Sequence, residues 1–109
     1  MLDVEPAAKH IVSDMPLDEA IKFMASATRH SAASFASPFT YPAYRYIPAT
    51  YIICEKDLVI PPTFQRQWIE RMEQESGRSV STISMETGHC PNASAPGELV
   101  KAIEKAVGV

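Results

Sequence analysis

Positive charge is in short supply: ten Lys and Arg stand against 13 Asp and Glu, for a formal net charge of −3. Without a basic stripe to neutralise phosphates, nucleic-acid binding is not expected. Long apolar runs are absent too. Nothing approaches the ~20 residues that cross a bilayer, and residues 1–9 lack the basic-then-apolar order of a secretory leader, so no membrane association is expected. Cysteine is limited to Cys54 and Cys90, 36 residues apart and without a CxxC partner, which is too little for a disulfide framework. The three histidines, His10, His30 and His89, are scattered, so neither a metal centre nor another cofactor is expected. Two reduced thiols and no leader point to a cytoplasmic setting. Glycine is scarce as well, four residues against nine prolines.

What is present is an ordinary folding composition, 46% hydrophobic and 21% charged over 109 residues. That length supports one domain at most, and a chain of this size buries only about 65% of its unfolded surface.

Residues 1–13 show no clear period and read as a loose lead-in. Asp14-Met15-Pro16 then supplies a helix start, with a capping Asp, a Pro in the first turn and the acids Asp18 and Glu19 at the positive end of the dipole. Leu17, Ala20, Ile21, Met24, Thr28 and Ser31 follow at helical spacing and predict a helix over 16–33. Pro38, Pro42 and Pro48 exclude regular structure over 36–48, where Phe39, Tyr41, Tyr44 and Tyr46 cluster. That stretch is either a loop anchored by its rings on a core or the wall or lid of a pocket.

Residues 49–54 are β-prone and almost continuously apolar, as a strand buried on both faces of a parallel sheet would be. Glu55-Lys56-Asp57 ends it. Pro61-Pro62 opens a helix whose Phe64, Trp68, Ile69 and Met72 form a core stripe, with Gly77 as its stop. Residues 80–85 predict a second strand diluted by Ser and Thr, residues 88–92 a loop, and residues 96–107 a last helix with Leu99, Val100, Ile103, Ala106 and Val107 on one side. The order is helix, aromatic loop, strand, helix, strand, helix. Its strand–helix–strand part reads as a right-handed parallel crossover, so the fold class is α/β.

Parallel strands end on the same sheet edge, and Asp57 and His89 follow the two strands closely. Topology therefore brings a carboxylate and an imidazole together where open α/β sheets hold their ligands. Such a pair is the orienting half of a nucleophilic triad, the acid fixing the tautomer of the histidine. Taken singly, Asp57 is also readable as a surface acid ending a strand, and His89 as a turn histidine. Ser31, Ser34 and Ser37 carry no signal of a nucleophile.

The acid-then-histidine order on the last two strands is that of the α/β-hydrolases. Ile47 through Asp57 resembles the strand that presents the triad acid in that superfamily, Gly88-His89-Cys90-Pro91 its Gly-His-x-Pro histidine loop, and Pro61 through Met72, with Gln65 and Trp68, the helix between. The chain looks most like the small methylesterase/hydroxynitrile-lyase branch, in particular its fungal members. The resemblance implies a C-terminal portion of the α/β-hydrolase fold: residues 1–48 a partial cap helix and aromatic loop, residues 49–109 the C-terminal part of the core. It implies Asp57 as triad acid and His89 as general base. The family's Gly-x-Ser-x-Gly elbow is missing, because the glycines at 77, 88, 97 and 108 bracket no serine, and the oxyanion-hole loop is missing with it.

Two functions follow as expectations. The first is a fragment or truncated form of a serine-type hydrolase, inactive alone, that acts on a small carboxylic ester when complemented. The second is a non-catalytic binding or structural protein derived from the same fold. In both, two parallel strands leave open edges, so a homodimer or a complementing N-terminal chain is expected.

Overall fold

Two strands organise the molecule. In the computed structural model, which describes residues 3–109, β1 (Thr50–Cys54) and β2 (Ser81–Met85) pair in parallel, Thr50 opposite Ser81 through Cys54 opposite Met85. The β-branched and aromatic run Thr50-Tyr51-Ile52-Ile53 suits the pleat. The strand is less enclosed than its composition predicts: Ile53 and Cys54 are buried, Tyr51 and Ile52 half-buried and Thr50 exposed. The full neighbouring layers that would bury both faces are absent from the described residues.

The crossover is α4 (Pro62–Ser76), numbered after three helices before β1. Pro62 fits the first turn, where its missing N–H is not needed. At the other end Gly77 takes φ 68°, donating its N–H to the Glu73 carbonyl at 2.9 Å, a left-handed cap that glycine adopts without strain. Ile69 packs with Ile53 and Val80, and Met72 and Tyr51 line that cluster. The expected core stripe is only partly right, since Phe64 and Trp68 remain 53% and 48% exposed. Gln65 and Ile69 face the sheet, and each of the two rings lies one residue, or about 100°, around the helix from them. Two strands about 4.8 Å apart are narrower than a helix about 10 Å across, so the flank of α4 overhangs.

Before β1 the expectations need more correction. The lead-in forms α1 (Val4–Ile11), and α2 (Leu17–Ala25) folds back on it. Ala8, Val12 and Ala20 make a closed small cluster, each at most 1% exposed. The buried residues of α1 are Ala7 and Ala8, which give little hydrophobic contrast yet allow close approach. The long helix expected over 16–33 stops at Ala25: the Ser26 hydroxyl bonds the Phe23 carbonyl at 2.6 Å, and residues 25–36 are exposed, so no packing offsets the local competition. A short helix, α3 (Ala32–Ala36), follows separately.

The aromatic stretch is held by polar groups rather than rings. Phe39, Tyr41 and Tyr46 are each more than 60% exposed, with Tyr41 and Tyr46 stacked on one another. A single 3-10 turn, Ala43–Arg45, carries the anchors. The Tyr44 hydroxyl and the Arg45 guanidinium both donate to the Glu75 carboxylate on α4, and Arg78 Nη2 donates to the Arg45 carbonyl at 2.6 Å.

After β2, a short helix α5 (Pro91–Ser94) begins inside the predicted loop, and α6 (Pro96–Val107) matches the predicted last helix. Only Ala102 of α6 is buried; Val100, Ile103 and Val107 are exposed, so its apolar side is uncovered. No described helix is long and apolar enough to cross a membrane.

Candidate active site

Both site residues sit just beyond the strands. The parallel ladder runs past β1, with Glu55 N–H bonding the Met85 carbonyl at 2.9 Å and Lys56 N–H the Thr87 carbonyl at 3.0 Å. These bonds carry the chain to Asp57 and, on the other strand, to Gly88 and His89. The predicted juxtaposition is realised: Asp57 Oδ2 lies 2.9 Å from His89 Nδ1.

Asp57 is buried, its side chain 4% exposed against 31% for His89. Its other oxygen, Oδ1, accepts the backbone N–H groups of Val59 and Ile60 at 2.8 and 2.9 Å, so the carboxylate closes the turn after β1 on itself. Burial alone pushes this carboxyl up; the Ile60 amide, the His89 ring and the Val59 amide together outweigh it and hold the group below its usual range. An ionised carboxylate can only accept, so the proton it shares with His89 belongs to Nδ1. With Nδ1–H engaged by Asp57, Nε2 is the acceptor of the neutral ring.

Gln65 fixes the edge from which Asp57 projects. It is 3% exposed, its Oε1 accepting Cys54 N–H at 3.0 Å and its Nε2 donating to the carbonyls of Cys54 and Ile60 at 3.0 and 2.8 Å. One side chain thus ties the end of β1, the Asp57 turn and α4 together. Sequence reasoning noted Gln65 only within the family-like helix. An amide four residues before Ile69, and so on the same face of the helix, was the available signal. Asp14, expected as a helix cap, does not cap α2, which starts from Pro16 without a side-chain cap; it accepts the Gly88 N–H at 2.9 Å instead.

Neither the two thiols nor Ser34, which lies beside a histidine, is set up as a nucleophile. Burial pushes the thiols of Cys54 and Cys90 up, away from thiolate. Ser34 Oγ lies 2.7 Å from His30 Nε2, but its single proton goes to the Ser31 carbonyl at 2.7 Å. His30 must therefore donate to Ser34, the reverse of base activation. Among the described residues, no group of three or more His, Cys, Asp and Glu is placed to hold a metal ion.

The family model described as "Alpha/beta hydrolase family" matches residues 2–102. The chain belongs to the alpha/beta hydrolase family. Within it, the chain is 34% identical over 108 residues to "Probable hydrolase R7" of Phoma sp., covering 99% of this chain and 44% of that protein. It is 31% identical over 80 residues to "Alpha/beta hydrolase nvfD" of Aspergillus novofumigatus, covering 73% of this chain and 30% of that one. Both are fungal, and this alpha/beta hydrolase chain spans less than half the length of either. Among solved structures it is similar to a pyrethroid hydrolase from Sphingobium faniae JZ-2, with 36% identity, 54% of this chain and 22% of that one covered, and a TM-score of 0.46. It is also similar to the pyrethroid hydrolase PytH, with 32% identity, 61% and 25% covered, and a TM-score of 0.48. The small parallel sheet flanked by helices is a partial alpha/beta hydrolase fold.

Proposed function

We propose that Asp57 and His89 are the acid and base of a serine-type alpha/beta hydrolase acting on carboxylic esters, with the nucleophile supplied from outside residues 3–109. The observation that carries this reading is the buried carboxylate at 2.9 Å from His89 Nδ1, on the sheet edge where both strands end. In this role Nε2 takes the proton of a serine hydroxyl as it attacks the ester carbonyl, then returns it to the leaving alcohol. Asp57 holds the ring in the tautomer that leaves Nε2 free and stabilises the imidazolium while it exists. Water then repeats the cycle on the acyl-enzyme.

The sequence contains no Gly-x-Ser-x-Gly, so residues 1–109 by themselves supply base and acid without a nucleophile elbow. The relatives are more than twice as long as this chain, and their names as hydrolases support hydrolysis as the reaction of the assembled protein. The half-exposed Phe64, Trp68 and Ile103 support assembly, either with a segment bearing the elbow or with a second copy of this chain. The same uncovered faces favour a second reading, a non-catalytic protein that uses them for binding.

A chimera separates the two. The N-terminal part of the Phoma relative is joined to residues 3–109 and assayed on p-nitrophenyl acetate. Hydrolysis should appear, and His89→Ala should lower it by about six orders of magnitude. Turnover that ignores His89→Ala refutes the assignment, and a folded chimera without turnover supports the binding protein.

A further inference from the structure

The peptide unit between Thr87 and Gly88 is held at both polar ends. Its carbonyl accepts Lys56 N–H at 3.0 Å, from the extension of β1, and its N–H donates to Asp14 Oδ2 at 2.9 Å, from the turn between α1 and α2. The second bond joins residues 74 apart in sequence. Gly88 is buried, and Asp14 occupies the space a side chain would fill: a Cβ there would meet Asp14 Oδ1 at 2.7 Å and Ser13 Oγ at 3.2 Å. One residue beyond His89, Cys90 packs on the closed cluster of Ala8, Val12 and Ala20. His89 is therefore flanked on both sides in sequence by residues that the α1–α2 unit holds.

We infer that Asp14 is a positioning residue that fixes the swivel of the chain at Gly88 and so ties the orientation of the His89 ring to the α1–α2 unit. The inference rests on the proposed function for its catalytic meaning and on geometry alone for the tether. Glycine is the residue least able to hold its own φ and ψ, and it directly precedes the base. A carboxylate accepting a backbone N–H makes a charge-assisted bond, stronger than a neutral one, and here it supplies the restraint that glycine lacks. Any displacement of α1–α2 then turns the Thr87–Gly88 peptide and moves His89 relative to Asp57.

The test uses isotope-labelled 109-residue protein and two NMR readouts: hydrogen exchange of the Gly88 amide, and order of the His89 ring from relaxation of its Cε1–H group. Asp14→Ala should speed Gly88 exchange by about tenfold or more and lower the ring order, while amides of β1 and β2 keep their protection. Asp14→Asn, which keeps an acceptor oxygen, should restore part of both. Gly88→Ala should loosen the ring as Asp14→Ala does, because the new methyl displaces the Asp14 carboxylate. Asp18→Asn, on the exposed face of α2, should change neither. Unchanged ring order in Asp14→Ala overturns the inference, as does an equal loss of protection across β1 and β2, which would mean general loosening. The Asp57–His89 pairing is read separately from the ring tautomer: finding Nε2–H in the unaltered protein defeats the proposed function without touching the Gly88 and ring-order readouts.

Discussion

Removing the Asp57 carboxylate should be among the costliest single changes in the chain. The group is 5% exposed and accepts three bonds, from Val59 N–H, Ile60 N–H and His89 Nδ1. Bonds to a charged acceptor contribute roughly 1.5–3 kcal/mol each, discounted because the donors partly recover water once the turn opens. Breaking a buried pair by deleting one partner costs about 3–5 kcal/mol. Asp57→Ala is therefore expected to destabilise by about 3–4 kcal/mol, a large share of the roughly 5–15 kcal/mol of a small domain. Asp57→Asn keeps an oxygen for Val59 and Ile60 but presents NH2 to the imidazole, so it should cost about 1–3 kcal/mol and flip His89 to the Nε2–H tautomer. Urea unfolding followed by circular dichroism reads the free energies, and nitrogen shifts of the His89 ring read the tautomer. With a slope of about 1–2 kcal/mol per molar urea, Asp57→Ala should move the midpoint down by about 2 M. A midpoint within 0.3 M of the unaltered protein at unchanged slope, or a ring that keeps Nδ1–H in Asp57→Asn, would refute the reasoning.

Acid should act through the same group. Because the folded Asp57 carboxyl is held below its ordinary value of 3.8, its contribution is complete above that value and fades as pH falls through the depressed folded one; a midpoint–pH series should show this decline, flattened in Asp57→Asn. Glu75, held at about 2 chiefly by the Tyr44 hydroxyl, then by Arg71 and Arg45, should keep the aromatic segment attached until pH falls to that range. Glu75→Ala, which removes the acceptor, should instead loosen it at neutral pH, seen as faster amide exchange at residues 43–47. Gln65→Ala should cost about 2–4 kcal/mol in urea unfolding, since it strands the Cys54 N–H and the Ile60 carbonyl near the core and leaves the Cys54 carbonyl only its bond from Asp57 N–H. Trp68→Ala should change the stability of the isolated chain by less than about 1 kcal/mol, because the ring is 48% exposed; if light scattering shows a dimer, the same substitution should weaken it.

The alternation of apolar runs, prolines and charged stops along residues 49–107 was enough to place β1, α4, β2 and α6 close to their observed bounds. Each of these carries its own local signal: β-branching in Ile52-Ile53, proline at the first turn of α4, glycine after its last. The site was legible for the same reason, since a parallel crossover puts both strand ends on one edge wherever it occurs, and Asp57 and His89 stand directly after them. In the N-terminal third only the start of α2 was legible. Alanines at 7, 8 and 20 stabilise α1 and α2 by allowing close approach, a property of the pair that neither segment displays alone. The rings of Phe64 and Trp68 share the composition of core residues, yet the width of the layer facing them decides burial, and two strands are too narrow. Tertiary structure alone showed which bonds orient the site. The Gln65 clamp and the Asp14–Gly88 bond span 11 and 74 residues, and no local propensity records a partner at that distance. Local chemistry along the chain determined which elements form and where Asp57 and His89 emerge, whereas close packing between distant segments decided how His89 is held.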